Sequence, residues 1–361
     1  MSERPLDGGV RPIPDDLAVR NGWEGDFEVF PEVELPTYVG LQTFSRLPWV
    51  TDPGELRESK VDVAIVGAPF DDMVTHRSGA RFGPRAIRAA QYTSGALNSL
   101  QLGVEPFEEL VAVDAGDANI VPASWERGHA MIYRKVREVA DTGAIPIVFG
   151  GDHSITWPSA SAVASVRRPG SIGIVHFDAH ADTGEHAWGN LLSHGTPMRR
   201  LIESGAVPGR NFVQVGLRGY WPGPDTFAWM REQGMRWHLM GELLDRGTEV
   251  VLEEAVSQAL DGPEYIYLSV DIDVLDPGFA PGTGTPEPGG MNPAELLRAI
   301  RRVVSMTNVI AMDVVEVSPP YDHAEITAQN ANRAILETLS VLAVKKRDSA
   351  PRSEPQETSK E

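Results

Sequence analysis

The feature that most constrains this chain is a short apolar run that passes directly into alternating acids and histidine, Ser171-Ile-Gly-Ile-Val-His-Phe-Asp-Ala-His-Ala-Asp182. Ile172 to Phe177 has the length and composition of a buried strand. Asp178, His180 and Asp182 then follow at a spacing of two, separated only by alanines. Alternate residues of an extended segment point the same way. Two carboxylates and an imidazole therefore leave one face of the chain close together. Crowding like charges is unfavourable unless a cation offsets them, so the pattern points to a metal.

The pattern recurs. Tyr265 to Val270 is a second apolar run and ends in Asp271-Ile-Asp273; Ile145 to Phe149 is a third and ends in Gly150-Gly-Asp-His153. Three strands that deliver such residues at their C-terminal ends define one site, and ligands bind at that edge of an open α/β sheet. The candidate ligands are His153, Asp178, His180, Asp182, Asp271 and Asp273. That is too many for one tetrahedral zinc. It suits two harder divalent ions bridged by carboxylates, with a bridging water that loses its proton readily. His194, in the loop Ser193-His-Gly-Thr-Pro197, is a candidate proton shuttle. Glu316 follows the last apolar run, so it sits at the same edge, where it can orient a positively charged substrate.

Composition bounds the alternatives. The chain has 361 residues and a formal charge of -19, which argues against binding nucleic acid or anionic membranes and suits a cationic small molecule. There is no cysteine, so thiolate and disulfide chemistry are excluded. The first residues lack the apolar core of a signal peptide and no run of 18 apolar residues occurs, so a cytoplasmic protein is expected. From Val61 onward, about eight strand-like segments alternate with helix-like ones, which predicts a parallel sheet with helices on both faces. A closed eightfold barrel has the same alternation. Asn292-Pro-Ala-Glu295 reads as a helix start. Residues 1–60, with Trp23, Phe27, Phe30, Tyr38, Phe44 and Trp49, read as an irregular arm lying over the body or a neighbouring subunit. Residues 345–361 read as a disordered charged tail.

Five motifs in order, Gly150-Gly-Asp-His-Ser154, Asp178-Ala-His-Ala-Asp182, Ser193-His-Gly-Thr196, Ser269-Val-Asp-Ile-Asp-Val-Leu-Asp-Pro277 and Glu316-Val-Ser-Pro319, together resemble the ureohydrolase family of arginase, agmatinase, guanidinobutyrase and their relatives. The resemblance runs from about residue 60 to 344. It implies an α/β fold, a three-layer α/β/α sandwich on an eight-stranded, mostly parallel sheet, with 61–344 as a single catalytic domain. It also implies that His153 and Asp182 hold one ion, His180 and Asp273 the other, and that Asp178 and Asp271 bridge. Asp182 would carry a proton towards the leaving amine, His194 would exchange protons with solvent, and Glu316 would hold the guanidinium. Manganese is the family's usual metal; a nickel-dependent branch acting on free guanidine also resembles this chain. A homotrimer or homohexamer is implied as well.

The substrate is read from the loop Thr183 to Ser193. Gly184 stands where arginases have an Asn, and Leu192 occupies a slot two before His194, so arginine is expected to be poor. Trp188 and Trp221 are candidate pocket walls that would stack on a guanidinium. A linear, agmatine-like guanidine is the first expectation; free guanidine, guanidinobutyrate and guanidinopropionate are alternatives. Three rivals share parts of the pattern. A single-zinc deacetylase type would lack His153 and the Asp271–Asp273 pair, an inactive scaffold would have lost a ligand, and a formiminoglutamase-like enzyme would take an anionic substrate.

Overall fold

Each of the expected apolar runs forms a strand, and the reason is burial on both faces. The computed structural model describes residues 37–93 and 97–349. Its strands are β1 Val63–Ala68, β2 Ala112–Asp117, β3 Ile145–Gly150, β4 Ile172–Phe177, β5 Phe212–Leu217, β6 Arg236–Leu239, β7 Tyr265–Asp271 and β8 Val309–Val315. All pair in parallel, in the order β2-β1-β3-β8-β7-β4-β5-β6. β2 and β6 end the sheet and do not pair with each other, so the sheet is open and the barrel alternative falls away.

Alternate residues of the seven longer strands enter two separate cores, while the edge strand β6 is largely exposed. Val63, Ile65, Ile147, Phe149, Val175 and Phe177 face one, packed under the helices Thr248–Ala259, Pro293–Met306 and Ile326–Ser349. Ala64, Val66, Val148, Ile172 and Ile174 face the other, under Trp125–Ala140, Thr156–Ser165 and Pro197–Glu203. Covering both faces turns strand sequences into near-continuous apolar runs. A fully buried side chain such as Phe149 or Phe177 contributes about 1.5–3 kcal/mol relative to exposure. The helix at Pro293 begins as read: Asn292 and Glu295 form a reciprocal capping box.

Two boundaries differ from the sequence reading. The last helix runs to Ser349, so residues 345–349 are helical, carried on by buried Val341, Leu342 and Ala343. Lys345 Nζ donates to the carbonyls of Val304 and Thr307, at the end of the preceding helix. Within the expected arm, Phe44 is fully buried, edge-on to Phe149 at 5.2 Å, and its N–H donates to Asp114. Trp49 bridges to Asp114 of β2, whereas Tyr38 is exposed. Trp23, Phe27, Phe30 and residues 350–361 lie outside the described residues. No helix among the described residues is long and apolar enough to cross a membrane.

Candidate metal centre

The strands that carry the acid-and-histidine ends are neighbours. β3, β8, β7 and β4 lie side by side in the middle of the sheet, and their C-terminal ends open into one crevice. The Gly150-Gly151 pair lets these ends close up. A Cβ on Gly151 would lie 1.8 Å from the Phe70 carbonyl oxygen, so only glycine fits where this backbone crosses the loop after β1. The Gly151 carbonyl accepts from Glu316 N–H (2.8 Å), which ties the end of β3 to the end of β8. Asp152 then caps a short turn, His153–Ile155, that presents the His153 ring to the crevice.

Three aspartates are built alike. Asp178 Oδ1 accepts from His180 N–H (2.5 Å), Asp271 Oδ1 from Asp273 N–H (2.8 Å) and Asp273 Oδ1 from Ala179 N–H (3.1 Å). Each thus has one oxygen fixed by backbone and the other turned to the crevice. There, His153 Nδ1 lies 3.1 Å from Asp178 Oδ2, 3.0 Å from Asp182 Oδ2 and 3.1 Å from Asp271 Oδ2. One ring nitrogen cannot hydrogen-bond three carboxylates at once, and His153 Nδ1 makes no aligned hydrogen bond to any. Four donors converging on one point is the geometry of ligands around a cation. A second group, Asp178, His180 and Asp273, has His180 Nδ1 3.0 Å from Asp273 Oδ2 and 3.6 Å from Asp178 Oδ1. Asp178 belongs to both groups, one oxygen toward each.

The electrostatics ask for positive charge. Burial by itself would lower the His180 imidazole, yet Asp273 and Asp178 push it up to about 12. Burial, with Asp273 and Asp178 beside it, holds the Asp271 carboxyl well above the usual range. Imidazoles driven to hold protons and a carboxyl driven to keep one both relax when divalent cations supply the charge. His153 also meets the usual outer-sphere requirement, with its other nitrogen, Nε2, 3.0 Å from Ser269 Oγ.

Beside this nest lies a second constellation. Glu316 Oε1 accepts from His153 N–H (2.8 Å) and from His194 Nδ1 (2.9 Å), while Oε2 is buried without a partner. His194 Nε2 faces Thr75, 3.2 Å from its N–H and 2.6 Å from its Oγ1. Burial would lower His194, but Glu316 and the nearby Asp182 and Asp152 raise it to about 9. Both Asp182 and Glu316 hold positive φ, 51° and 63°, a conformation uncommon for residues other than glycine and frequent at functional sites.

The six candidate ligands, His194 and Glu316 are all brought into this crevice. Trp221 is placed near it, its ring 6.4 Å from that of His180 and packed toward Gly184 and Gly195. Trp188 is not: it stands 83% exposed on the turn Ala187–Asn190. His194 is 6% exposed with both ring nitrogens engaged, so its path to solvent leads through Thr75. The sequence reading passed over His176, Asp152 and Thr75. His176 lies two residues before Asp178 and could have been found by the same spacing; Thr75 arrives from a loop with no pattern to announce it.

An open parallel sheet whose central strand ends bring these acids and imidazoles together is an α/β architecture with a candidate centre for divalent cations. The arginase family model matches residues 61–340. The chain belongs to the arginase family and is a hydrolase. It is 39% identical to guanidinopropionase of Pseudomonas aeruginosa, over 89% of this chain and 96% of that one. It is 38% identical to a mitochondrial agmatinase of Gallus gallus, over 88% and 90%. Among solved structures, a Trypanosoma cruzi formiminoglutamase with Mn²⁺ superposes with a TM-score of 0.72 at 27% identity, covering 79% of this chain and 95% of that one.

Proposed function

We propose that the protein hydrolyses the guanidinium group of a linear guanidino compound to urea and an amine. The observation that carries this is Glu316 Oε2, a buried carboxylate oxygen with no partner, aimed beside a nest of metal-type ligands. An N–H-rich cation satisfies such an oxygen well, and a guanidinium is a planar fork of N–H donors. Space is kept for it: a Cβ on Gly284 would come within 3.0 Å of Oε2.

His153, Asp178, Asp182 and Asp271 would hold one divalent ion, and Asp178, His180 and Asp273, with Asp271 bridging, the other. When bound, the pair supplies a water activated near neutral pH and offsets the four aspartates. Glu316 orients the guanidinium so that its carbon faces that water. Asp182 carries a proton to the nitrogen of the breaking C–N bond, and His194, held by Glu316 and Thr75, returns a proton to the site from solvent. Water adds and the alkyl nitrogen leaves; the products are urea and the alkylammonium.

For the substrate we favour an ω-guanidino acid over the agmatine read from the loop. The Arg77 guanidinium lies over the Tyr321 ring, 5.2 Å from its centre, on the loop that also brings Thr75 to His194. Among the described residues it has no carboxylate partner. A relative named guanidinopropionase, at 39% identity, supports the same choice. Agmatine remains the second reading, on the formal charge of -19. Urea release from 3-guanidinopropionate, 4-guanidinobutyrate, agmatine, guanidine and arginine, each with Mn²⁺ and with Ni²⁺, decides. A guanidino acid should show the highest kcat/KM, and Arg77→Ala should lower it. Agmatine or guanidine winning would overturn the acid assignment, and no urea from any would overturn the function. We also propose a trimeric or hexameric assembly, which light scattering at micromolar concentration tests.

A further inference from the structure

Across the sheet, Gln214 of β5, His176 of β4 and Ser269 of β7 stand in one register row, all fully buried. The row lies one strand-face step below the ligands, because His176 precedes Asp178 by two and Ser269 precedes Asp271 by two. Ser269 meets His153. What the other two members do follows from their hydrogen bonds.

Gln214 Nε2 lies 2.6 Å from the Ala181 carbonyl oxygen and 3.0 Å from His176 Nδ1. A carbonyl can only accept, so the amide must turn its NH₂ that way, and the second N–H then points at His176 Nδ1. Nδ1 therefore carries no proton, and the ring proton sits on Nε2. That atom is 2.8 Å from Asp178 Oδ2, with the N–H tilted off the direct line. The ring cannot turn away, since it is fully buried between His153 (4.8 Å between centres) and Phe212 (5.8 Å). A protonated Nε2 has no lone pair to give a metal, so His176 is not a third imidazole ligand.

We infer that His176 is a positioning residue that holds the Asp178 carboxylate across both ligand groups, and that Gln214 locks the tautomer this requires. This rests on the metal-centred reading above. With Oδ1 held by His180 N–H and the His176 Nε2–H set 2.8 Å from Oδ2, rotation of Asp178 toward one group at the expense of the other is opposed. Removing an outer-sphere partner of this kind typically weakens metal binding 10–100-fold.

The test has two parts. In chelated wild-type protein labelled at histidine with ¹⁵N, the His176 signal should show the Nε2–H tautomer, and Gln214→Glu should move the proton to Nδ1. A wild-type Nδ1–H tautomer would overturn the inference. In calorimetric titration with Mn²⁺, His176→Phe and Gln214→Glu should each weaken binding of at least one ion about 10–100-fold. His176→Gln, which returns an N–H near the Nε2 position, should restore much of it. Phe fills the space better than Gln, so this order separates positioning from packing. If wild-type takes up two ions and His176→Phe binds them as tightly, this inference falls alone. If wild-type takes up none, the metal reading falls, and the positioning role falls with it.

Discussion

Glu316 uses one carboxylate oxygen twice and leaves the other without a partner, which makes its substitution informative. Glu316→Gln keeps the shape but removes the charge that the proposed guanidinium would meet. Hydrogen bonds to charged groups contribute about 1.5–3 kcal/mol each, so kcat/KM should fall roughly 10–100-fold with two ions still bound. Loss of metal along with activity would instead place Glu316 in the metal nest. His194 carries a separate pH signature. Its folded value is raised to about 9 from an ordinary 6.5. A raised value adds stability that is fully present below about 6.5 and is lost as pH climbs through about 9. In chelated protein, Tm should therefore drop between those limits, and His194→Ala should flatten the drop. Parallel wild-type and variant profiles would show that His194 has no such coupling.

At the scale of elements, two positions test different parts of the design. Gly151 sits where β1, β3 and β8 converge, and its missing Cβ is the space occupied by the Phe70 carbonyl. Backbone cannot give way as a flexible side chain can. Gly151→Ala should cost about 3 kcal/mol or more and reduce metal uptake, because the β3 end carrying His153 must move. Asn292 is the contrast. Its capping box starts a helix on the sheet's outer layer, so Asn292→Ala should cost about 1 kcal/mol in denaturant unfolding and leave kcat and KM unchanged. A change in kcat there would mean that the helix start reaches the site.

For the whole molecule, the proposed two-ion centre would add stability as well as chemistry. Four buried aspartates converge where β3, β4 and β7 end, and the fold without cations must bear their repulsion. An ion present at 100 times its Kd adds about 2.7 kcal/mol to the folded state. Chelation should thus lower Tm by roughly 5–10 °C, with recovery on adding Mn²⁺ or Ni²⁺ in excess. A Tm indifferent to chelator and to added metal would remove the two-ion proposal.

What the sequence determined by itself is what depends on near neighbours along the chain. The end of each apolar run marked the edge where Asp178, His180 and Asp182 emerge, because the alternation of a strand is a local property; beyond Phe177 the chain is a loop, in which Asp182 at positive φ reaches the His153 group while His180 turns to the other. The same rule reaches His176, which a reading centred on acids passed over. Tertiary structure alone decided which strands lie side by side. The third, eighth, seventh and fourth became neighbours because crossover helices must cover both faces of the sheet, a matter of burial between distant segments. It also decided that Thr75, from a loop without periodicity, closes on His194, that Trp188 stands in solvent, and that Asp182 and Glu316 take positive φ. Those outcomes rest on long-range packing and on strain that the surrounding fold holds in place, and neither leaves a pattern in the order of residues.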